Sequence, residues 1–133
     1  MNEAPVALTI AQVAEETKTS TYTLRYYERI GLIQAVSRAR SGHRRYGPSD
    51  VAWVLFLRKL HATGMPIRRM LEYAKLQRRG EATFSDRRAL LEEHRADVMA
   101  KIAEQQAHLA AIDAKVARYR ELERQAKTKR AAR

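Results

Sequence analysis

The feature that most constrains this chain is an apolar repeat that starts after Thr83 and runs to about Glu123. Leu91, Val98, Gln105, Ile112 and Tyr119 fall on one heptad position, and Arg95, Ile102, Leu109 and Val116 fall on its companion across the seam. Roughly 38 residues at about 1.5 Å each give a helix on the order of 57 Å long, more than a small compact domain requires. A larger apolar side chain gains about 1.5 to 3 kcal/mol when fully buried and almost nothing in water. Val98, Ile102, Leu109, Ile112 and Val116 therefore require something to lie along them. A second copy of the chain supplies it; a helix folded back on the N-terminal part is the alternative. Gln105 interrupts the seam with a polar group, and the pattern leaves the strand direction open.

What precedes this helix reads as short helices and one turn. Thr9 is placed to cap a helix whose third position, Gln12, can reach back to the cap, with Ile10, Val13 and Ala14 on its apolar side. Such a helix needs a neighbour to be stable. Ser20 is the N-cap of the next one, which runs from Thr21 to about Ile30, where Gly31 takes the left-handed position that ends it. Leu24, Tyr27 and Ile30 face inward. Thr21, Tyr22, Thr23, Arg25 and Tyr26 remain outside, a concentration of hydroxyls and one guanidinium suited to base edges and phosphates in a major groove. An ordinary surface helix with packed tyrosines is the simpler reading of that stretch alone.

The segment VSRARSGHRRY follows, with Ser41-Gly42 marking a tight turn between two short extended pieces. Arg38, Arg40, His43, Arg44 and Arg45 gather around the turn, with Tyr46 at its end. A basic hairpin can lie along a phosphate backbone, and the arginine fork matches phosphate oxygens. The two helices and the hairpin together read as a winged helix-turn-helix.

Pro48 suits the first position of a third helix, with Asp50 in its negative first turn. This helix continues to about Ala62 and carries Val51, Val54, Leu55, Phe56, Leu57 and Leu60, too wide an apolar surface for a helix standing alone. Trp53 fits either the core or a contact between copies. Gly64 breaks the pattern, and Met65-Pro66-Ile67 opens a fourth helix with Ile67, Met70, Leu71 and Ala74 inward. Its Arg68, Arg69, Lys75, Arg78 and Arg79 suit either phosphate or solvent. Thr83 offers a cap for the long helix, with Asp86 three residues on.

Charge follows the same division. The chain carries 26 Lys and Arg against 15 Asp and Glu, a formal net charge of +11. Residues 1–80 hold 14 basic and 6 acidic side chains, and residues 81–133 hold 12 and 9. An anionic partner is implied, held mostly by the first part. Arg124, Lys127, Lys129, Arg130 and Arg133 have no acidic companion after Glu123, which predicts a disordered basic tail over 124–133. The expected organisation is a DNA-binding domain over 1–80, a dimerisation helix over 81–123 and that tail.

With no cysteine, the chain has no disulfides, thiolate metal ligands or thiol redox sensor. His43, His61, His94 and His108 stand singly, without metal-ligand spacing on a helix, so no metal or other cofactor is expected. There is no Gly-rich phosphate loop, and Ser20 and Ser41 lack a visible His and Asp pairing, so no enzyme is expected. The N-terminus shows neither a signal peptide nor a membrane span, and a cytoplasmic location is expected by default.

TLRYYERIGLI over Thr23–Ile33, GHRRY over Gly42–Tyr46, Asp50-Val51 and LHATGMPI over Leu60–Ile67 resemble the bacterial MerR family of transcription regulators. The resemblance covers about residues 8–80, and the long helix extends it to about 123. It implies a mainly α fold: a winged helix-turn-helix, a helical linker and a long helix forming an antiparallel coiled-coil dimer. It also implies a homodimer that binds a pseudopalindrome in a promoter with an overlong spacer and kinks and untwists the duplex so that RNA polymerase engages both elements. Tyr22, Thr23, Arg25, Tyr26, Arg44 and Arg45 carry over as DNA contacts; Ser20, Thr21, Arg38, Arg40, His43 and Tyr46 complete the expected surface. Leu91, Val98, Ile102, Leu109, Ile112, Val116 and Tyr119 form the expected dimer seam. The chain departs from the family's metal-sensing and thiol-stress members in having no cysteine, and no separate ligand domain follows its helix, unlike the multidrug-sensing type. Two other readings stay open: a DNA-bending repressor or architectural protein without a small-molecule effector, and a coiled-coil protein whose basic module binds RNA or another protein.

Overall fold

A computed structural model describes residues 7–34, 37–38 and 44–132, with 37, 38 and 44 described by their backbone alone. Arg40 and His43 lie outside the described residues. The elements run α1 (Ile10–Thr17), α2 (Thr21–Arg29), β1 (Ser37–Arg38), β2 (Arg44–Arg45), α3 (Pro48–Ala62), α4 (Ile67–Arg78), a 3-10 turn (Glu81–Thr83) and α5 (Phe84–Ala131). Two compact units divide after Leu91.

The local signals act as their chemistry dictates. At α1 the box closes in both directions: the Gln12 amide donates to Thr9 Oγ1 at 3.2 Å, and the Thr9 amide donates to Gln12 Oε1 at 2.8 Å. At α2 the Thr23 amide donates to Ser20 Oγ at 3.0 Å. Gly31, at φ +87°, turns the chain out of α2 in a conformation that costs other residues a Cβ clash. Pro48 opens α3, where Asp50 Oδ2 accepts from the Gly47 amide at 2.8 Å. β1 and β2 pair antiparallel, Ser37 opposite Arg45 and Arg38 opposite Arg44. Leu8 and Tyr46 exchange backbone hydrogen bonds of 2.7 and 2.9 Å, which ties the entry of α1 to the end of the hairpin.

The core of the first unit is built from Val13 of α1, Leu24 and Tyr27 of α2, Leu32 and Ile33, Val54, Leu57 and Leu60 of α3, and Met70, Tyr73 and Ala74 of α4. Trp53 belongs to its edge: the indole stacks on Tyr73 with centroids 5.6 Å apart, and its Nε1–H donates to the Leu32 carbonyl at 2.9 Å. That bond clamps the turn after α2 onto α3. Leu55, counted in the wide apolar surface of this helix, is exposed; it lies on the face of α3 away from the stripe of Val54, Leu57 and Leu60. Met65 and Tyr73 are buried although neither was part of the expected inward stripe.

α5 departs from expectation at both ends. Thr83 immediately precedes it, but its hydroxyl turns back to close α4, donating to the carbonyls of Leu76 and Gly80 and accepting from Arg87 Nε at 3.1 Å. The opening turns belong to the first unit, since Leu90 is buried and Leu91 packs against the same core. The helix also passes Glu123 and continues to Ala131, so 124–131 is helical rather than irregular. Local bonds support this: Arg124 pairs with Glu121, Gln125 donates to Glu121 at 3.1 Å, and the Thr128 hydroxyl donates to the Arg124 carbonyl at 3.1 Å. Lys129 and Arg130 complement the negative end of the helix dipole. No helix among the described residues is long and apolar enough to cross a membrane.

Candidate nucleic-acid interface

α2 is anchored on one side and open on the other, and that asymmetry defines the site. Leu24 and Tyr27 are buried, so the helix is held by its inner face. Burial raises the Tyr27 hydroxyl above the ordinary tyrosine range; neighbouring Tyr26 adds to this and Arg58 opposes it, so the phenol stays neutral at physiological pH. On the outer face, Tyr22 is 77% exposed and Arg25 projects beside it, while Thr21 and Thr23 are half-buried. Tyr26 is exposed with its ring leaning on Tyr27, and the Arg29 guanidinium lies 5.8 Å from its centroid. Tyr22, Arg25, Glu28 and Arg29 border a shallow depression along this face. Exposed aromatics and guanidiniums on a rigid, capped helix can stack, donate to base edges and meet phosphates at once.

Ser20 contributes through geometry. Its hydroxyl accepts the Thr23 amide and donates to Thr23 Oγ1 at 2.9 Å, fixing the first turn. The hairpin follows on the same unit, with Arg45 half-buried and the backbones of Arg38 and Arg44 paired. Tyr46, expected on the interface, is a correction: it is only 2% exposed, and its hydroxyl donates to Glu28 Oε2 at 2.9 Å. Its ring fills the core because the backbone pairing with Leu8 turns it inward. Tyr46 thus joins the end of the hairpin to α2 and sets the two basic elements relative to each other.

Three basic side chains near α2 were not among the expected contacts. Lys18, Arg58 and His61 line a recess of about 300 Å³ with Ser20, Thr23 and Tyr27. Arg58 donates to the Thr17 carbonyl at the end of α1. The signal available in the sequence was the placement of Arg58 and His61 one turn apart at the end of α3, but their proximity to Lys18 arises only when α1 and α3 pack.

Along the second unit, the expected seam residues Ile102, Leu109, Ile112, Val116 and Tyr119 are all exposed in the single chain, Ile112 at 59%. Val98 is half-buried, and Leu91 packs on the core of the first unit. Among the described residues no group of three or more His, Asp or Glu is disposed to hold a metal ion.

Comparison with known proteins agrees with this geometry. A family model described as the MerR HTH family regulatory protein matches residues 8–76, and one described as MerR, DNA binding, matches 51–113. The chain is 39% identical over 88 residues to the HTH-type transcriptional regulator AdhR of Bacillus subtilis, covering 66% of this chain but 63% of that relative. It is 34% identical over 111 residues to an uncharacterised HTH-type transcriptional regulator of Haemophilus influenzae, covering 84% of this chain and 82% of the other. The crystal structure of HiNmlR, a MerR family regulator lacking the sensor domain and bound to promoter DNA, superposes with a TM-score of 0.78 at 33% identity, over 87% of this chain and 92% of that one. These matches place the chain in a known architecture, and it belongs to the MerR family of helix-turn-helix transcriptional regulators, which are DNA-binding proteins and not enzymes.

Proposed function

We propose that this protein is a sequence-specific DNA-binding regulator that acts as a homodimer on a promoter with an overlong spacer. The observation that carries the reading is the outer face of α2: Tyr22, Arg25 and Tyr26 are held out by a helix whose opposite side is locked into the core. A 33% identical relative of the same fold is bound to promoter DNA. Arg38, Arg40, His43, Arg44 and Arg45 add the wing's phosphate contacts, and Thr21 and Thr23 line the first turn of the reading helix. The two α5 helices pair as an antiparallel coiled coil through Val98, which is half-buried in one chain, and Ile102, Leu109, Ile112, Val116 and Tyr119, which are exposed in one chain and would be covered in two. Residues 1–80 bind DNA and 81–123 dimerise, while the basic end from Arg124 onward adds non-specific attraction.

A dimer gripping two half-sites can hold the duplex bent, and smooth bending costs about 1 to 6 kcal/mol, offset by the second set of contacts. The bend would bring both promoter elements to RNA polymerase. A second reading is repression or DNA bending without a small-molecule input; the lack of any cysteine in the chain removes the thiolate chemistry by which a metal or thiol-stress signal could enter. Titration of a labelled promoter fragment from the neighbouring genes tests recognition: tight binding to it and weak binding to a scrambled duplex is the expected result, and equal affinity for both overturns sequence specificity. Transcription from the same promoter then separates activation from occupancy without added transcript.

A further inference from the structure

We propose that the recess between the turn after α2, the first turn of α3 and the last turn of α4 binds a small aromatic acid with a hydrogen-bond donor opposite its carboxylate, and that filling it weakens promoter binding by loosening the end of the reading helix. The site stands on the geometry of the first unit alone; its effect on promoter binding rests on the reading of the protein as a DNA-binding regulator.

The lining offers a surface for a ring. The recess holds about 400 Å³, within the range of about 300 to 1,000 Å³ common to small-molecule sites. Its floor is apolar, made by the buried Leu32 and Ala74 with the half-buried Trp53 beside them. The indole is already fixed, stacked on Tyr73 with centroids 5.6 Å apart and donating to the Leu32 carbonyl at 2.9 Å. A second ring can lie against it without first having to order it.

The polar groups around this floor are of opposite kinds. Asp50 reaches the recess from the first turn of α3, and Gln77 and Arg78 reach it from the last turn of α4. One oxygen of Asp50 takes the Gly47 amide at 2.8 Å, while the other has no hydrogen-bond partner among the described residues and is left to accept from a hydroxyl or an amine. Arg78 donates to the Gly31 carbonyl, which engages only part of a guanidinium whose fork matches a carboxylate. The Gln77 carboxamide, exposed beside it, both donates and accepts. An acceptor from one helix, a donor fork from another and an indole between them select a planar molecule that is polar at both ends. A wholly apolar ligand would strip water from both charges and replace none of it.

The walls of the recess also lead to the reading helix. Two of its side chains hold consecutive carbonyls where α2 ends: Arg78 holds Gly31 and Trp53 holds Leu32. Gly31, at φ +87°, is the residue at which the chain turns out of the helix, so these two bonds fix how that end of α2 sits on α3 and α4. A ligand carboxylate is a stronger partner for the guanidinium than a backbone carbonyl, and it draws Arg78 away from Gly31. The end of α2 then loses one of its two ties, and Tyr22 and Arg25 are presented to the groove less firmly. Because both events act through the same bond, the promoter must weaken the ligand by the factor with which the ligand weakens the promoter.

The chain has a single tryptophan, so Trp53 emission reports on the recess directly. The full chain is titrated with para-hydroxybenzoate, with benzoate, which lacks the donor, and with para-hydroxybenzamide, which lacks the charge. A saturable change in emission is expected, with para-hydroxybenzoate binding roughly tenfold more tightly than either partial analogue, the value of one hydrogen bond to a charged group. Arg78→Gln should remove its advantage over the benzamide. Asp50→Asn, which keeps an oxygen for the Gly47 amide, should remove its advantage over benzoate. Circular dichroism establishes that each variant is folded. Promoter affinity is then measured with and without saturating para-hydroxybenzoate: a fall of about fivefold or more is expected in wild type, and no response in Arg78→Gln. An absence of saturable change in Trp53 emission, or equal affinity for all three probes, would overturn the site. Saturation that leaves promoter affinity unchanged would overturn the link to α2. If wild type binds the probe and no duplex, it is the DNA-binding reading that fails and the site that stands.

Discussion

Tyr22 and Leu57 mark the two extremes of what a side chain does in this protein. Leu57 is fully buried where α3 meets the core, so Leu57→Ala leaves a cavity and is expected to lower stability by about 2 to 5 kcal/mol in urea unfolding. Tyr22 touches little of its own chain, so Tyr22→Ala should leave the unfolding midpoint within experimental error and weaken promoter binding. The reverse pattern would mean that α2 is a structural helix and its open face is incidental. Residue-level legibility divides along the same line. Leu24, Tyr27, Val54 and Met70 were readable as core because helical spacing fixes which side chains share a face. Tyr46 was not: in a two-residue strand an alternating pattern is too short to show which way a ring points, and only the pairing with Leu8 decides it. Lys18, Arg58 and His61 were likewise invisible as a group, since they lie far apart in sequence and meet only through packing.

Elements are more legible than residues because each carries its own start and stop. Thr9 with Gln12 and Ser20 with Thr23 each form a bond that residue identity and spacing foreshadow, and Pro48 opens α3 as its fixed φ dictates, with Asp50 in the first turn accepting the Gly47 amide. The far end of α5 is harder, since the apolar repeat ceases near Glu123 while the helix continues on local bonds. The Arg124 and Gln125 side chains donate to Glu121 and hold its carboxyl below the usual carboxylate range. Their support is therefore present at neutral pH and is lost as pH falls through that lowered value; being fully exposed, it is a small effect. A sharper check is Thr128→Pro, which removes the backbone donor and clashes with the preceding turn at a cost of about 3 kcal/mol in a helix interior. Helical signal by circular dichroism should fall by the last turns alone, with the unfolding of the first unit unchanged. No loss of signal would mean that the helix already ends near Glu123 in solution.

For the whole molecule, the decisive question is what covers α5 beyond Leu91. A lone helix of this length has no core of its own, and its stripe from Ile102 to Tyr119 is open to water in one chain. In the proposed dimer a second copy covers it by symmetry, and the same pairing would give the regulator two reading helices for two half-sites. If the second unit is ordered by pairing, its melting temperature must rise with protein concentration, because mass action favours the dimer. Leu109→Glu places a carboxylate in the middle of the seam, where burying an unpaired charge is strongly unfavourable. The variant should sediment as a monomer at concentrations where wild type is a dimer, and its melting should become independent of concentration. Its affinity for a two-half-site promoter should drop about a hundredfold or more, since the second contact no longer follows from the first. Affinity for a single half-site should be retained, because the core that holds α2 lies within residues 1–91 and does not involve Leu109. A Leu109→Glu variant that still sediments as a dimer would place the subunit contact elsewhere and leave the apolar stripe without a role.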